Sequence, residues 1–349
     1  MDIYRIPDNT QSTVERLTFT PTIGEHDLLV SNNGERIVFR TDHYGFPEME
    51  PSELEKEEPR HIYLLNTTSK KLIDITSVLE DEYPQLGPEF YMDWLPDKKQ
   101  FVVIKYEGEE SEIKSFLEFV DFYGGNRRSV LIPTTGEIPA LINSIKWSPD
   151  GSKFILTQGA IGLEQQMQNP GNPILIYDLE SGKIVQLTNY QDQCRPQEWS
   201  PTNQQIVVTC NFYIPDVEGI SGPSTVRIFD VENPGQPYEH ITFSPCYDPS
   251  WSPNGEQITF VCDKETDQAG LFTINSDGSN IYEINLGDLG NPAILKNPTW
   301  SPNGTQIVFV AGTDYEHTNI YFMDLNVSNT HQITHQPAYY NVVSIYSVP

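Results

Sequence analysis

The chain has 349 residues, of which 37% are hydrophobic, and its 21 Lys and Arg against 49 Asp and Glu give a formal net charge of −28. Because this charge repels nucleic-acid phosphates and anionic membrane surfaces, we expect neither as a partner. No run of 18 apolar residues is present, and residues 1–19 lack the features of a secretory signal. We therefore expect a soluble, acidic protein without membrane insertion, cytoplasmic unless a removed leader has taken it to an extracytoplasmic compartment such as the periplasm.

Short predicted strands follow one another along the chain in a repeating order. Two lie in residues 3–18, and from residue 25 onward the same order recurs in six units. Five tryptophans at intervals of 53, 52, 52 and 49 residues mark the repeat, and such near-constant spacing is typical of a repeat protein. They are Trp94, Trp147, Trp199, Trp251 and Trp300. The units span residues 25–76, 92–132, 145–188, 197–242, 251–285 and 298–334, and a last strand is predicted at 342–348.

A tight turn follows each tryptophan. The sequence Trp-Ser-Pro-Asp-Gly stands at 147–151, and Trp-Ser-Pro-Asn-Gly stands at 251–255 and again at 300–304. Asn203 and Lys98 take the place of the glycine in two other copies. Glycine tolerates a left-handed backbone best and asparagine next best, so we expect the turn that contains Lys98 to be strained.

Each unit is predicted to contain four strands. A short apolar strand follows the turn, and a variable loop follows that strand. Next comes a strand with an alternating residue pattern, such as 174–178, and the unit ends with a strand that closes in Leu-Thr or Ile-Thr. A four-stranded sheet cannot bury both of its faces alone, whereas sheets stacked around an axis bury them against one another. The prediction is therefore an all-β chain in which residues 1–349 form a single β-propeller domain of four-stranded blades.

The number of blades depends on the two ends of the chain. The segment 3–18 has the pattern of the third and fourth strands of a unit, and the segment 342–348 has that of a first strand. We expect the two segments to share a composite closing blade. This favours seven blades, six complete units and the composite one, with six blades and extra terminal strands as the alternative.

The repeat resembles that of a known family. The Trp-Ser-Pro-Asp/Asn-Gly turn, with Ile-X-Phe, Ile-Tyr-X-X-Asp and a closing Leu-Thr or Ile-Thr, is similar to TolB-like propellers, which are related to WD repeats, over nearly the whole chain. Members of that family include the propeller of a periplasmic envelope protein, propellers attached to prolyl-oligopeptidase-type hydrolases and, more distantly, oligogalacturonate lyases. The resemblance therefore implies the propeller fold, and binding or scaffolding, regulation of a hydrolase, or metal-dependent cleavage of a polysaccharide.

The sequence contains no familiar catalytic signature. Gly-X-Ser-X-Gly, His-Glu-X-X-His, a phosphate-binding loop and a calcium loop of EF-hand spacing are all missing. We therefore predict a non-enzymatic binding protein without catalytic residues, cofactor or metal. The lyases named above hold their metal by histidines, and this alternative requires loop residues such as His43, His61, His317 and His335 to converge. The other alternative is a regulatory propeller detached from its hydrolase.

The four cysteines occupy equivalent positions in two neighbouring units. One pair flanks Trp199, five residues before it and eleven after it, and the other pair flanks Trp251 at the same spacing. Each pair is centred on its turn, so its members are expected opposite each other across a hairpin, with Cβ atoms about 4.5 to 5.5 Å apart. Two disulfides, as in an exported protein, four buried thiols and a four-thiolate zinc site are the alternatives. The cysteines are Cys194, Cys210, Cys246 and Cys262.

The loops of a propeller lie at two ends, and the longer loops here belong to the end opposite the Ser-Pro turns, which we call the long-loop end. Long loops on a rigid scaffold usually carry the binding residues. We predict a monomer that binds a protein, a peptide or a carbohydrate at this end. The long loops are 41–61, 106–115, 158–173 and 211–224. The candidate ligand-binding residues are Tyr190, Arg195, Phe212, Tyr213, Tyr247, Tyr315, His317 and Tyr340.

Arg195 stands alone as a cation in the connection 189–196 of an otherwise acidic protein. It either pairs with a nearby acid, Asp192 or Asp248, or receives a ligand carboxylate in bidentate geometry.

Overall fold

The structure is a computed structural model that describes sixteen segments of the chain. They are residues 3–5, 15–17, 25–31, 34–41, 62–74, 92–95, 100–107, 114–121, 127–132, 140–160, 173–188, 192–213, 221–233, 245–264, 267–325 and 329–335. No helix in these segments is long and apolar enough to cross a membrane. Nearly all of their regular structure is β-strand, apart from one 3-10 turn at Gly287–Leu289.

The first three blades are antiparallel sheets of four strands each. Blade 1 consists of β3 (Glu25–Val30), β4 (Arg36–Thr41), β5 (Ile62–Asn66) and β6 (Leu72–Asp74). Blade 2 consists of β7 (Met92–Trp94), β8 (Gln100–Glu107), β9 (Lys114–Asp121) and β10 (Arg127–Ile132). Blade 3 consists of β11 (Ala140–Trp147), β12 (Lys153–Ala160), β13 (Ile174–Asp178) and β14 (Ile184–Gln186).

Blade 4 has three strands within the described residues, and blades 5 and 6 have four each. Blade 4 consists of β15 (Asp192–Trp199), β16 (Gln205–Tyr213) and β17 (Ser221–Asp230). Blade 5 consists of β18 (Cys246–Trp251), β19 (Gln257–Lys264), β20 (Gln268–Asn275) and β21 (Tyr282–Glu283). Blade 6 consists of β22 (Ile294–Trp300), β23 (Gln306–Gly312), β24 (Thr318–Asp324) and β25 (Asn329–Gln332).

The described segments therefore form six blades, and the seven blades that the sequence favoured are not supported. Near the N-terminus, β1 (Tyr4–Arg5) pairs with β2 (Glu15–Arg16) in a separate two-stranded sheet. Ile3 and Leu17, each 5% exposed, belong to the buried cluster of blade 1, so this short ribbon covers the core of an existing blade. The predicted strand 342–348 lies outside the described residues.

Neighbouring blades pack face to face through one recurring contact. The first strands contact one another from blade to blade and so lie nearest the axis. One residue from the second strand of a blade faces one from the third at this contact, and we call these two the junction pair. Both residues are apolar in five blades, and blade 5 has Thr259 facing Thr273. In three junctions the pair lies in one buried cluster with the tryptophan of the next blade. Examples are Val102 and Phe119 with Trp147, Ile155 and Ile176 with Trp199, and Val207 and Ile228 with Trp251.

The Ser-Pro turns have the backbone that their sequence requires. The serine is buried and its hydroxyl accepts a hydrogen bond from the backbone N–H five residues later, as between Gln257 N and Ser252 Oγ at 2.9 Å. The turn with Lys98 lies outside the described residues. The residues at the fifth position of the motif have left-handed φ angles, 72° at Gly151, 61° at Asn203, 72° at Gly255 and 70° at Gly304.

Replacing Gly304 by alanine is expected to lower the free energy of unfolding by about 1 to 2 kcal/mol, because a Cβ is strained in the left-handed backbone. The nearest neighbour of that Cβ, Pro253 Cδ, is 3.8 Å away, so no clash adds to the strain. Gly304→Asn is the matched control and should lose less, since Asn203 already occupies this conformation. Denaturant unfolding measures both, and equal losses would contradict the explanation.

Candidate functional site

At the long-loop end, one group of interacting side chains lies in blades 5 and 6. Strands β18 and β22 end in tryptophans beside the Ser-Pro turns, so their first residues lie toward the opposite end. Side chains from β18, the end of β19, β22 and the loop 313–317 interact there, and we call them the loop-end cluster. Its members are Tyr247, Asp248, Asp263, Lys296 and Tyr315.

Tyr247 and Asp263 are joined by a hydrogen bond across the hairpin of β18 and β19. The Tyr247 hydroxyl donates to Asp263 Oδ1 at 2.7 Å. Burial and then this carboxylate raise the pKa of Tyr247. The phenol therefore remains a protonated donor at neutral pH, and the hydrogen bond holds the ring of Tyr247 to Asp263 on the second strand of blade 5.

Two β-bulges connect blades 5 and 6 at this end. Asp248, with φ 50°, lies in the bulge of β18, and Asn297, with φ 51°, lies in that of β22. Short polar side chains tolerate this left-handed backbone. The Asp248 Oδ2 atom accepts a hydrogen bond from the Asn297 backbone N–H at 3.0 Å. Burial raises the pKa of Asp248, while this N–H and the Lys296 ammonium act in the opposite direction.

Tyr315 is the exposed member of the cluster, at 62% exposure. The Lys296 ammonium lies 5.8 Å from the centroid of its ring. The loop that carries it is held by Asp314 Oδ1, which accepts hydrogen bonds from the backbone N–H groups of Glu316 and His317, each at 2.9 Å. The His317 Nδ1 atom is 2.7 Å from the same oxygen, and this side-chain contact is the main cause that lowers the pKa of Asp314. The hydrogen bonds to Asp314 therefore hold the loop in place, and Tyr315 on this loop is exposed to solvent.

The structure brings together three of the residues singled out in the sequence, because Tyr247, Tyr315 and His317 all lie around this cluster. Arg195 is exposed in β15 of blade 4 and forms no ion pair with a described side chain. Its expected partner Asp248 is engaged by Asn297 and Lys296 instead. Phe212 and Tyr213 lie in β16, but their side chains are outside the described part, as are Tyr190 and Tyr340 altogether.

Sequence patterns do not single out Asp263 or Lys296, and they indicate Asp248 only as a possible partner of Arg195. A signal was present, since Asp248 and Asn297 both stand three residues before the tryptophan of their units. Asp and Asn both tolerate a left-handed backbone, so their occurrence at the same position of two units indicates a β-bulge at that position in both.

The four cysteines form two cross-strand disulfides just inside the long-loop end. Cys194 faces Cys210 in the register of β15 and β16, with the sulfur atoms 2.01 Å apart. Cys246 faces Cys262 in β18 and β19, with the sulfur atoms 2.10 Å apart. Each disulfide joins the two strands of the hairpin that lies nearest the axis. Within the described residues, no group of three or more His, Cys, Asp or Glu is placed to hold a metal.

The carboxyl group of Glu198 lies between the first strands of blades 4 and 5. The Glu198 Oε2 atom accepts a hydrogen bond from the Trp251 backbone N–H at 2.8 Å. Burial raises the pKa of Glu198 to about 7, although this N–H, the Lys146 ammonium and the Ser250 hydroxyl oppose the rise. Its charge therefore changes near neutral pH.

Stability is expected to fall as the pH rises toward about 7, because the folded state holds the proton of Glu198 that the unfolded state releases near its ordinary value of 4.5. Between pH 5 and 8 the loss amounts to as much as about 3 kcal/mol for this one group. Glu198→Gln keeps an acceptor for the Trp251 N–H and should lose less stability over this range. Asp178→Asn is the control, because hydrogen bonds from Ser181 lower the pKa of Asp178, so this carboxyl is ionised in both states and its contribution to stability is constant between pH 5 and 8. Denaturant unfolding at several pH values measures these differences, and identical pH profiles for Glu198→Gln and the parent protein would contradict the assignment.

Residues 98–336 match the family described as the TolB beta propeller domain. No curated protein matches the chain in sequence. Among solved structures, TolB from Acinetobacter baumannii is 14% identical with a TM-score of 0.50, and the match covers 88% of this chain and 65% of TolB. A prolyl endopeptidase is 12% identical with a TM-score of 0.61, over 93% of this chain and 44% of the peptidase. Prolyl oligopeptidase B from Galerina marginata is 12% identical with a TM-score of 0.59, over 91% and 43%. At these identities the likeness shows the fold alone, and the chain spans 65% of TolB and less than half of either peptidase.

Proposed function

The chain belongs to the TolB β-propeller domain family, and we propose that it is a non-enzymatic binding protein that engages a protein or peptide through its long-loop end. The observation that carries the proposal is Tyr315, a 62% exposed aromatic ring held on a hydrogen-bonded loop above the loop-end cluster. Tyrosine is among the residues that contribute most to binding energy at protein interfaces.

The chemistry around Tyr315 supports recognition of a polar partner. The Asp263 carboxylate accepts a hydrogen bond from Tyr247, and the Lys296 ammonium lies against the ring of Tyr315. A partner that covers this surface would contact one apolar ring with charged groups of both signs around it. Protein interfaces commonly have such an apolar centre surrounded by a polar rim. The net charge of −28 favours association with a partner that carries positive charge.

The backbone beneath the cluster supports the proposal because it is already ordered. The Asp248–Asn297 hydrogen bond joins blades 5 and 6, and the Cys246–Cys262 disulfide joins β18 to β19. Binding to a preorganised surface avoids much of the entropic cost of fixing loops. Such a surface suits a scaffold that holds a partner without reacting with it.

The test uses the full chain to capture its partner from the native extract, with binding then measured on the purified pair. Tyr315→Ala, and Arg195→Ala as the second candidate at this end, are expected to weaken binding by about 2 kcal/mol, roughly 30-fold, the scale of an interface hot spot. Both residues are exposed, so the melting temperature should not change.

Leu131→Ala is the matched control, because Leu131 is 49% exposed on β10 of blade 2, away from the cluster. Binding by this variant should equal that of the parent protein. Equal losses in the control and in Tyr315→Ala would place the interface elsewhere, and capture of an oligosaccharide in place of a protein would replace the proposed partner class.

A further inference from the structure

The outer strand of blade 5 ends differently from the outer strands of blades 3 and 6. In blade 3 the backbone N–H of Ile174, on the third strand, donates to the Thr188 hydroxyl at 2.9 Å. In blade 6 the backbone N–H of Ile320 donates to the Thr334 hydroxyl at 2.9 Å. These bonds tie the chain that follows the outer strand to the third strand.

Blade 5 has no threonine at the corresponding position. Ile284 is the equivalent of Leu187 in blade 3, because each donates its backbone N–H to a carbonyl of the third strand. The next residue is Asn285, where blade 3 has a threonine. Asn285 Oδ1 accepts a hydrogen bond from the Gly287 N–H at 2.9 Å, so this side chain is engaged with the 3-10 turn.

Two large apolar side chains at the start of this outer strand are exposed. Ile281 is 46% exposed and Tyr282 is 53% exposed. Their equivalents in blade 3, Ile184 and Val185, are half-buried. Four large apolar side chains are exposed in the described part of the chain, and these two are the only neighbours in sequence. The outer edge of blade 5 therefore carries an apolar patch.

The two side chains of this patch lie on opposite faces of the blade. Tyr282 and Ile284 are two residues apart on one strand and share a face. Ile284 belongs to the buried cluster that contains Trp300 of blade 6, so Tyr282 faces blade 6 and Ile281 lies on the other face. A partner that contacts both side chains has to run along the edge between them.

The backbone of this edge is open to such a partner. β21 is the last strand in the sheet of blade 5. Hydrogen-bonded residues alternate along an antiparallel strand. Because the Ile284 N–H donates to the Leu271 carbonyl on β20 at 2.7 Å, the backbone groups of Tyr282 also point to β20, and those of Ile281 and Glu283 point outward. No further strand among the described residues pairs with them there.

A cavity of about 250 Å³ lies beside the edge, between blades 5 and 6. Tyr282 and Ile284 line it from the edge strand, and Met323 and Leu325 line it from blade 6. A cavity of about 150 Å³ already holds a benzene molecule. The cavity is therefore large enough for one aliphatic side chain of a strand added along the edge, whose alternate side chains point to this face.

The charges around the edge favour a cationic partner. Asp277 lies in the turn before β21 and Asp288 in the 3-10 turn after it, and both are exposed. Hydrogen bonds from Ser279 lower the pKa of Asp277, so this carboxyl is ionised at neutral pH. Glu283 on the strand itself is paired with Lys264. Residues 267–325 contain seven Asp and Glu but only one Lys or Arg, a balance that opposes a second copy of this protein.

We propose that the outer edge of blade 5 binds an extended segment of a partner protein as an added β-strand, with an aliphatic side chain in the cavity and Lys or Arg on either side of it. In this mode of recognition, main-chain hydrogen bonds supply affinity, and pockets for alternate side chains supply specificity. The edge lies at the outer rim of the propeller, apart from the loop-end cluster. The proposal is therefore independent of the function proposed above.

The probe is the blocked peptide acetyl-Lys-Leu-Thr-Leu-Arg-amide, with binding to the full chain measured by calorimetry. The parent protein should bind it at millimolar or lower concentration. Two control peptides should bind at least about tenfold more weakly. In acetyl-Glu-Leu-Thr-Leu-Glu-amide the charge is reversed, and in acetyl-Lys-Leu-Pro-Leu-Arg-amide the central N–H that would pair with the edge is missing.

The decisive variant is Ile281→Thr with Tyr282→Thr. It removes both exposed apolar side chains but keeps residues that favour a strand and leaves the net charge at −28, so a general attraction of cations is unchanged. Binding of the basic peptide should weaken by about tenfold or more. Because both side chains are exposed, the melting temperature should change little.

Leu131→Thr is the matched control, since Leu131 is 49% exposed on the outer strand of blade 2. This variant should bind the basic peptide as the parent protein does, and so should Tyr315→Ala, which alters the loop-end cluster. A loss in Tyr315→Ala would overturn the proposal by placing the peptide at that cluster.

The remaining results that would overturn the proposal concern the peptides and the occupant. They are no binding of the basic peptide by the parent protein at millimolar concentration, equally tight binding of either control peptide, and equal binding by the double threonine variant and the parent. Sedimentation that shows the parent as a dimer and the double threonine variant as a monomer would make a second copy the occupant instead.

Discussion

Replacing Trp251 by alanine is expected to lower the free energy of unfolding by about 4 kcal/mol. Trp251 is 3% exposed and lies in one buried cluster with Val207 and Ile228, the junction pair of blade 4. Removing the indole leaves a cavity between two blades, and each blade depends on its neighbours to bury its faces. Denaturant unfolding, followed by tryptophan fluorescence and by circular dichroism, measures the loss.

Trp251→Phe is the matched control for this prediction. It keeps an aromatic ring at the junction, and the backbone N–H that donates to Glu198 is unaffected, so the loss should be smaller, about 1 to 2 kcal/mol. If alanine and phenylalanine cost the same, the contact between the blades does not depend on the volume of the side chain.

Removing one disulfide, by replacing both Cys194 and Cys210 with alanine, is expected to lower the free energy of unfolding by about 3 kcal/mol. The bond closes a loop with a sequence separation of 16 and thereby restricts the unfolded chain. The same change at Cys246 and Cys262, whose separation is also 16, should have a similar effect. Unfolding is measured without reductant.

The control for this prediction is the parent protein with a reductant, which should lose stability toward the value of a variant that lacks all four cysteines. That variant should not respond to the reductant. Mass spectrometry of the unreduced protein should recover Cys194 linked to Cys210 and Cys246 linked to Cys262. Four thiols that alkylate freely in protein isolated without reductant would contradict the disulfides.

The amino-acid sequence by itself determined the repeat, the all-β propeller and the family, and all three are confirmed. The reason is that these features are local and repeated. The Trp-Ser-Pro turn specifies a left-handed residue at its fifth position, which the φ of 72° at Gly255 confirms. The spacing of the cysteines about their turns places Cys194 opposite Cys210, because a tight hairpin fixes its own register.

Only the tertiary structure decided how residues from different units meet. The terminal ribbon covers blade 1 because Ile3 and Leu17 reach its core, which strand patterns alone do not reveal. The Asp248–Asn297 hydrogen bond joins residues 49 apart in the sequence. The repeated sequence specifies the structure of one blade. Contacts between blades depend on the side chains that two different copies of the repeat bring to their shared interface, and these contacts form only when the sheets pack together.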